Sequence, residues 1–297
     1  MLIYTTSRVN RALSVESEPN VRAKQAMRPQ QSDYVLGYTD REQDRLIQQA
    51  RALAPATERF LRDAGIVSGM RVLDIGCGMG DVTMLVAQLV GDAGSVVSID
   101  INQPSLDTAR RRASAMGIAN ATFHRADILT FTDLTCFDAI VGRLVLEFLP
   151  DPVAAIRRLS ELLRPGGVMA FQEPSWKLWL TYTSHLPLRA AVTTLIRDTF
   201  VAGGVNTEME LPLYRGFKAA NLSSPQLRVD LPVGDNPEFR GLLYDLLVAV
   251  SPRAQALRLP LESLGNPGTL AARLDDELDA NGSFASFVGL VGAFARK

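Results

Sequence analysis

Apolar and polar positions follow a regular order through the middle of the chain. Short apolar runs typical of strands occur at Arg71–Ile75, Val96–Asp100, Thr122–Arg125, Phe137–Val141 and Val168–Gln172. Segments with apolar residues at helical spacing separate them, at Asp81–Val90, Pro104–Gly117 and Asp151–Arg164. Runs that are apolar throughout are typical of strands buried on both faces. This alternation predicts an α/β fold, a doubly wound and mostly parallel sheet with helices on both sides.

The chain before this alternation divides into two predicted parts. Residues 1–30 are polar and basic, which predicts a flexible arm, or an arm that orders only on a partner subunit. Residues 31–66 predict helices that cover the ligand site. Thr39 followed by Glu42 fits a capping box, and the apolar stripe after it runs to Pro55. We expect the first helix to break at that proline and a second one to follow it.

The last third of the chain is less regular. A helix and the sixth and seventh strands of the sheet are predicted at Leu188–Val201, Gln226–Val233 and Phe284–Ala295. Residues 237–280 predict two or three helices, broken at the sequence LGNPGT. We therefore expect residues 67–176 to form the ligand-binding core, and residues 177–297 to complete the sheet and carry a helical lid over about 237–280.

Composition and charge exclude several classes of protein. The chain has 297 residues with 31 basic and 32 acidic side chains, a net charge of −1. No global field favours nucleic acid or an anionic membrane. Two cysteines and two histidines provide neither a disulfide framework nor zinc-ligand spacing, so no metal is expected. No apolar run is long enough to cross a bilayer, and the first residues lack the pattern of a signal peptide, so a cytoplasmic protein is expected.

The sequence DIGCGMGD joins the first predicted strand to the helix after it, and its glycines indicate a ligand turn. A dinucleotide turn needs a third glycine where this chain has Asp81, and a carboxylate there would repel a pyrophosphate at the helix N-terminus. No Gly-Lys-Ser/Thr follows, which excludes a Walker-type phosphate loop. Acidic residues also stand at or near the strand ends, at Asp74, Asp100, Asp127 and Glu173. An edge this acidic favours a ligand with positive charge and free hydroxyls, and S-adenosylmethionine has both.

The same residues carry a family resemblance. DIGCGMG, SIDIN, ADI, FDAIVGRLVLEFLPDP and LLRPGG occur in the order found in class I S-adenosylmethionine-dependent methyltransferases, over about residues 34–176. The segment YVLGYTDREQDRL also resembles small-molecule methyltransferases of natural-product pathways. The resemblance implies a Rossmann-like methyltransferase fold, S-adenosyl-L-methionine as cofactor and a small organic metabolite as methyl acceptor.

The resemblance also implies roles for individual residues. Gly76 and Gly78 would let the backbone approach the cofactor, and Asp74 would orient the turn or reach the methionine ammonium through water. Asp100 would accept from both ribose hydroxyls. The remaining cofactor positions are Ile101 against the adenine, Asp127 and the Ile128 backbone at its amino group, Arg143 or Arg45 at the methionine carboxylate, and Tyr34, with Tyr38, closing over the site. The tyrosines are equally explained by packing of the N-terminal helix.

Candidates for a general base are few, and methyl transfer does not require one because the acceptor need only be held in line with the sulfonium methyl group. Glu147 is one candidate, although it is also explained as a carboxylate at a helix start. Glu173 is another. His185 is a third, near the expected acceptor side.

Three functions remain open on the sequence. The first is methyl transfer to O, N or C of a small biosynthetic metabolite. The second is a non-catalytic protein that binds or senses S-adenosylmethionine, since methyl transfer leaves no obligatory catalytic residue. The third is an NAD-dependent oxidoreductase, which Asp81 opposes. The sequence also leaves open whether the chain forms a homo-oligomer.

Overall fold

A computed structural model describes residues 40–297, with side chains from Arg45 onward. The helices are α1 Asp40–Asp63, α2 Asp81–Val90, α3 Gln103–Ala115, α4 Pro152–Ser160, α5 Trp176–Thr183, α6 Pro187–Ala202, α7 Glu210–Ala219, α8 Pro237–Ala256 and α9 Pro267–Ala280. The strands are β1 Arg71–Ile75, β2 Ser95–Asp100, β3 Ala121–Arg125, β4 Phe137–Arg143, β5 Leu163–Ser175, β6 Gln226–Asp230, β7 Val233–Gly234, β8 Ala285–Ser286 and β9 Gly289–Arg296. Two 3₁₀ turns lie at Leu146–Phe148 and Leu261–Leu264.

The central sheet of the described chain has seven strands in the order β3-β2-β1-β4-β5-β9-β6. The first five are parallel to one another, and β9 runs antiparallel to both β5 and β6. The predicted doubly wound, mostly parallel α/β sheet is thereby confirmed. Because the parallel strands share one direction, their carboxyl ends meet along one edge, where ligands of such folds bind.

Helices cover both faces of the sheet. On one face, Phe60 of α1 and Val86 of α2 pack against Val72 and Val141 of the central strands. On the other face, helices α4 and α7 pack on β1, β4, β5 and β9; Phe217 of α7 lies in this cluster. The two apolar layers fix the central strands and so the position of the loops that follow them.

A third apolar cluster lies beyond the sheet and forms a helical cover. It joins α1, α5, α6, α8 and α9, and its buried members include Leu53, Trp179, Ile196, Leu247 and Leu274. Helix α1 contributes to this cover and to the sheet cluster, because Leu53 packs in the first and Phe60 in the second. None of the described helices is both long and apolar enough to cross a lipid bilayer.

The structure differs from the sequence predictions at α1. The break predicted at Pro55 is wrong, since α1 continues through it. Buried side chains on either side of the proline, Leu53 and Phe60 among them, hold the two halves in one line. Packing of an amphipathic face therefore outweighs the hydrogen bond that the proline removes.

The later elements also differ. Helices α5 and α7 were not predicted. The sixth strand is predicted to reach Val233, but in the structure it ends at Asp230. Val233–Gly234 pairs instead with Ala285–Ser286 in a separate two-stranded sheet. The predicted turn RPGG bulges out within β5, because Leu163 still pairs with Phe137 before the regular ladder resumes at Val168.

Candidate active site

The glycine turn lies directly after β1 and against the loop that follows β4. Gly76, Gly78 and Gly80 have positive φ angles of 59°, 51° and 85°. A Cβ atom at Gly76 would stand 2.2 Å from Cγ2 of Val145, so this position has no room for a side chain. A Cβ atom at Gly78 would meet nothing within 4 Å. Gly76 therefore packs the two loops together, while Gly78 leaves the space above the turn open to a ligand.

Asp100, the last residue of β2, supports the glycine turn through its carboxylate. Its Oδ2 accepts from the Gly78 N–H at 2.8 Å and its Oδ1 from the Asn102 N–H at 2.8 Å. Burial raises the pKa of Asp100, and the N–H donors oppose that rise. The next residue, Ile101, is 55% exposed at the same sheet edge. An apolar side chain in that position can lie against a flat ligand ring.

Asp74 is buried beneath the turn. Its Oδ2 accepts from the Thr83 hydroxyl at 2.6 Å, and Thr83 also contacts the Ser98 hydroxyl at 2.9 Å. Burial raises the pKa of Asp74 to about 7, against the hydrogen bond from Thr83 and the charge of Arg143. A cation that binds above the turn would therefore stabilise the ionised form of Asp74.

A cleft of about 960 Å³, its mouth open to solvent included, runs from the glycine turn to the helical cover. One end is polar and lined by Asp74, Gly76, Gly78, Asp81 and Arg143. The other end is apolar and lined by Phe148, Trp176, Phe200, Leu246, Phe287 and Val288. The cleft thus joins a charged half at the sheet edge to an aromatic half under the cover.

Comparisons with known proteins agree with this geometry. Residues 66–208 match the family Methyltransf_31, described as a methyltransferase domain. The chain is similar to aklanonic acid methyltransferase DauC from Streptomyces sp. strain C5, with 36% identity over 124 residues, which cover 41% of this chain and 56% of that protein. It is also similar to demethylmenaquinone methyltransferase from Staphylococcus aureus, with 30% identity over 118 residues, covering 40% of this chain and 48% of that protein. The match thus spans about half the length of these curated relatives.

Solved structures show the same fold. A putative methyltransferase from Bacillus halodurans superposes with a TM-score of 0.53 at 16% identity, covering 80% of this chain and 97% of that one. A putative sarcosine dimethylglycine methyltransferase from Galdieria sulphuraria gives 0.50 at 17% identity, covering 89% and 92%. Residues 66–208 therefore match a methyltransferase domain, and the predicted resemblance to class I S-adenosylmethionine-dependent methyltransferases is confirmed.

The methyltransferase chain has two arginines near the polar half of the cleft. Arg143 lines it, and its Nη1 donates to Thr57 Oγ1 at 2.9 Å; Thr57 in turn donates to Gln172 Oε1 at 2.8 Å. Burial lowers the pKa of Arg143, and the charges of Asp81 and Asp74 oppose this. Arg45 is buried in α1 and donates to Gln49 Oε1 at 2.7 Å. Gln49 lines the cleft and Arg45 does not, so Arg143 is the arginine in position to meet a ligand directly.

Asp81 is the residue whose charge, on the sequence argument, would repel a pyrophosphate. In the structure it forms an ion pair. Its Oδ1 accepts from Arg112 Nη2 at 2.6 Å, across from α3. The repulsion attributed to Asp81 is therefore partly neutralised by Arg112. Asp74 and Asp100 supply the rest of the negative charge around the turn.

Asp127 and Ile128 follow β3 at the far side of the same edge. Asp127 is exposed and its Oδ1 accepts from the Leu129 N–H at 2.8 Å, while Ile128 is half-buried against the sheet. Neither residue lines the cleft. Their assignment to the adenine end stays a prediction, and so does that of Tyr34 and Tyr38, which lie outside the described residues.

The three candidate bases lie in different surroundings. Glu173 is fully buried; its Oε1 accepts from the N–H groups of Val145 and Leu146, and its Oε2 from that of Glu147. Burial raises the pKa of Glu173 to about 7, and these donors oppose the rise. Its oxygens are used to hold the loop after β4, which favours a positioning role.

Glu147 lines the cleft and is only 4% exposed, and no described residue forms a hydrogen bond with its Oε2. His185 is instead exposed at the end of α5, where its ring nitrogens contact the Tyr182 carbonyl at 2.9 Å and the Ser283 hydroxyl at 3.3 Å. His185 does not line the cleft. Of the three candidates, Glu147 is the one that lines the cleft.

Several residues at or near the cleft could not be identified from local sequence patterns. Leu144, directly after β4, has a φ of 55°, which is costly for leucine and typical of functional loops. Thr83 and Gln49 are ordinary helix residues in the sequence, and only the fold brings them to Asp74 and to the cleft. Leu246 comes from a distant helix of the cover, so no local pattern could have assigned it to the site.

Proposed function

We propose that this chain transfers a methyl group from S-adenosylmethionine to a small organic acceptor. One observation carries the proposal. A single cleft joins an acidic, glycine-lined end at the sheet edge to an aromatic end under the helical cover. A cationic donor would occupy the first end and an apolar acceptor the second, so that the reacting atoms would meet between them.

The residues present fit S-adenosylmethionine. The open space above Gly78 provides the cradle, and Asp74 would complement the ammonium and sulfonium charges from beneath. Asp100 would accept from the ribose hydroxyls with the lone pairs that its two backbone donors leave unused. Arg143 would donate to the methionine carboxylate. When bound, the cofactor supplies an electrophilic methyl group on its sulfonium.

The chain's own contribution is then binding, orientation and exclusion of water. Helices α5, α6 and α8 enclose the aromatic end with Trp176, Phe200 and Leu246. An acceptor held there is constrained relative to the polar end, and such constraint supplies much of the catalysis in a displacement of this kind. We therefore assign acceptor binding to the cover within residues 177–297, with residues 67–176 holding the cofactor.

The acceptor is proposed to be a small molecule. Among the described residues that line the cleft, Arg143 is the single lysine or arginine, and the acidic residues of the glycine turn stand beside it. A nucleic-acid backbone would need several cations.

Calorimetry with the purified chain tests the cofactor assignment. S-adenosylmethionine and S-adenosylhomocysteine should bind, and NAD should not. Asp100→Ala should weaken binding by about 1–3 kcal/mol, because charge-assisted hydrogen bonds to the ribose are lost. Asp107→Ala, an exposed aspartate on α3, is the matched control and should leave affinity unchanged. Unaltered affinity in Asp100→Ala would remove the ribose assignment, and NAD binding in its place would favour the oxidoreductase.

Turnover separates an enzyme from a non-catalytic binder. Release of S-adenosylhomocysteine, above the rate without acceptor, should follow the addition of small aromatic acceptors to the wild-type chain. Cofactor binding without stimulated release by any acceptor would favour a sensing role.

A further inference from the structure

Glu147 presents an unusual carboxyl group to the cleft. It is the middle residue of the 3₁₀ turn Leu146–Phe148, which follows β4. It is 4% exposed, and its buried Oε2 has no hydrogen-bond partner among the residues that the structure describes. A buried polar atom left unpaired costs about 1–3 kcal/mol, which a ligand that pairs with it would recover. The turn is close to the cofactor end, because Val145 packs directly on Gly76.

The surroundings of Glu147 favour the uncharged form of its carboxyl group. Glu173 lies on β5 and accepts from three consecutive backbone N–H groups, that of Val145 and those of the first two residues of the turn, so none of these donors reaches the Glu147 side chain. Burial raises the pKa of Glu147 well above its ordinary value, and the charge of Glu173 raises it further. The cation in the cleft, Arg143, is bonded to Thr57 and lies near Asp74 and Asp81. A protonated carboxyl can both donate and accept one hydrogen bond.

The walls facing this carboxyl are aromatic. Phe148, Trp176, Phe200 and Phe287 line the same cleft, and the rings of Trp176 and Phe200 lie 5.2 Å apart. The indole N–H of Trp176 is a second buried polar group that has no partner within the described part of the chain. Aromatic side chains prefer flat aromatic partners in offset or tilted contact. The aromatic end of the cleft therefore has flat apolar walls, and two buried polar groups that lack a described partner belong to residues that line it.

We propose that the methyl acceptor is an uncharged planar aromatic molecule bearing hydroxyl or carbonyl oxygens, and that the Glu147 carboxyl holds one of these oxygens. This inference rests on the proposed methyltransferase function and specifies its acceptor. Glu147 acts as a specificity residue, since a flat hydrocarbon would leave its carboxyl unpaired while a phenol or quinone would not. Among the described residues that line the cleft, Arg143 is the single cation and is bonded to Thr57 at the polar end, so anionic acceptors are disfavoured. Strongly cationic acceptors are disfavoured because an uncharged Glu147 offers them no counter-charge.

Tryptophan fluorescence provides the test, because the chain has two tryptophans and Trp176 lines the cleft. The probes are 1-naphthol and naphthalene, titrated into the wild type, Glu147→Gln and Glu147→Leu with S-adenosylhomocysteine present. Naphthol affinity should fall about tenfold in Glu147→Leu and less than about threefold in Glu147→Gln, which keeps a donor and an acceptor. Naphthalene affinity should change less than about twofold in both. Glu161→Leu, an exposed site at the end of α4, is the handling control.

Two results would overturn the inference. One is equal naphthol affinity in the wild type and Glu147→Leu. The other is a parallel loss of naphthol and naphthalene, which would mean that the leucine only distorts the aromatic end of the cleft. Calorimetry with S-adenosylhomocysteine on the same samples separates this failure from that of the proposed function. If S-adenosylhomocysteine binds to all variants and the naphthol affinity does not depend on Glu147, the acceptor inference is wrong while the proposed function stands.

Discussion

Asp74 is a buried acid whose charge state depends on what lies above it. Its neighbours are Thr83, which donates to it, Arg143, whose charge favours its ionised form, and the carboxylates Asp81 and Asp100, which oppose that form. Burial outweighs the favourable contacts and raises the pKa of Asp74 to about 7. The ionised form of Asp74 is therefore unfavourable without a cation nearby, and a cationic ligand above the turn would stabilise it.

The stability of the ligand-free chain should reflect this burial. The pKa of Asp74 is raised above its unfolded value, so the folded chain binds a proton that the unfolded chain releases between about pH 4 and pH 7. The free energy of unfolding should thus fall with rising pH across that window, by up to about 4 kcal/mol from this group. Thermal melts of wild type and Asp74→Asn should show a smaller decline in the variant. Parallel curves would contradict a raised pKa at Asp74.

Cofactor affinity should have the opposite pH dependence. Since the ammonium and sulfonium groups favour ionised Asp74, binding of S-adenosylmethionine should release a proton below about pH 7 and strengthen as pH rises towards that value. Calorimetry at about pH 6 and about pH 8 in buffers of different ionisation enthalpy measures both effects. Asp74→Asn should abolish the proton release. A release that survives this substitution would assign it to another group, such as Asp100.

The sequence identifies some of these residues and not others, for a physical reason. Asp74, Gly76 and Asp100 belong to a local strand–turn–helix pattern, so their place at the sheet edge follows from the chain alone. The neutral state of Glu147 depends on burial and on Glu173, which comes from another strand. Charge states of this kind are properties of the assembled site and have no local signature.

Single elements follow the same division. Helix α2 is predicted to the residue because its glycine start and apolar spacing are local. Helix α7 contains Pro212 and Gly216, which read as breakers, yet it forms because Gly216 lies against Ile156 of α4. A Cβ atom there would stand 2.4 Å from Ile156 Cδ1. Tertiary packing thus requires the residue that local propensity disfavours.

A pair of glycine substitutions tests this explanation. Gly216→Ala should destabilise the chain by about 1–3 kcal/mol, since overpacking against Ile156 exceeds the gain of about 1 kcal/mol in helix propensity. Gly241→Ala in α8 is the control, because its Cβ would meet only Asp245 Oδ2 at 3.8 Å. It should stabilise by up to about 1 kcal/mol. Denaturant unfolding measures both; similar effects at the two sites would refute the role of the α4–α7 contact.

At the scale of the whole molecule, the helical cover predicted as a lid shares its apolar packing with the cofactor-binding half. Helix α1 links the two through Leu53 and Phe60, and Trp176 follows directly after the last residue of β5. Excising residues 237–280 would expose a large apolar surface, including the faces of α6 and α1 that α8 covers. Deleting this segment would therefore impair folding, and its effect on activity would not show whether the segment acts as a lid.

Cooperativity of unfolding distinguishes an integral cover from an independent lid. If the shared packing holds, calorimetric melting should show one transition, and S-adenosylhomocysteine at about 100 times its Kd should raise the unfolding free energy of the whole chain by about 2.7 kcal/mol. Hydrogen exchange should then slow together in α2, beside the turn, and in α8 of the cover. Two transitions, with only the one that includes α2 shifted by the ligand, would show that the cover opens on its own. Leu246 of α8 lines the cleft, so an integral cover requires acceptors to enter through local opening around the mouth while the sheet stays folded.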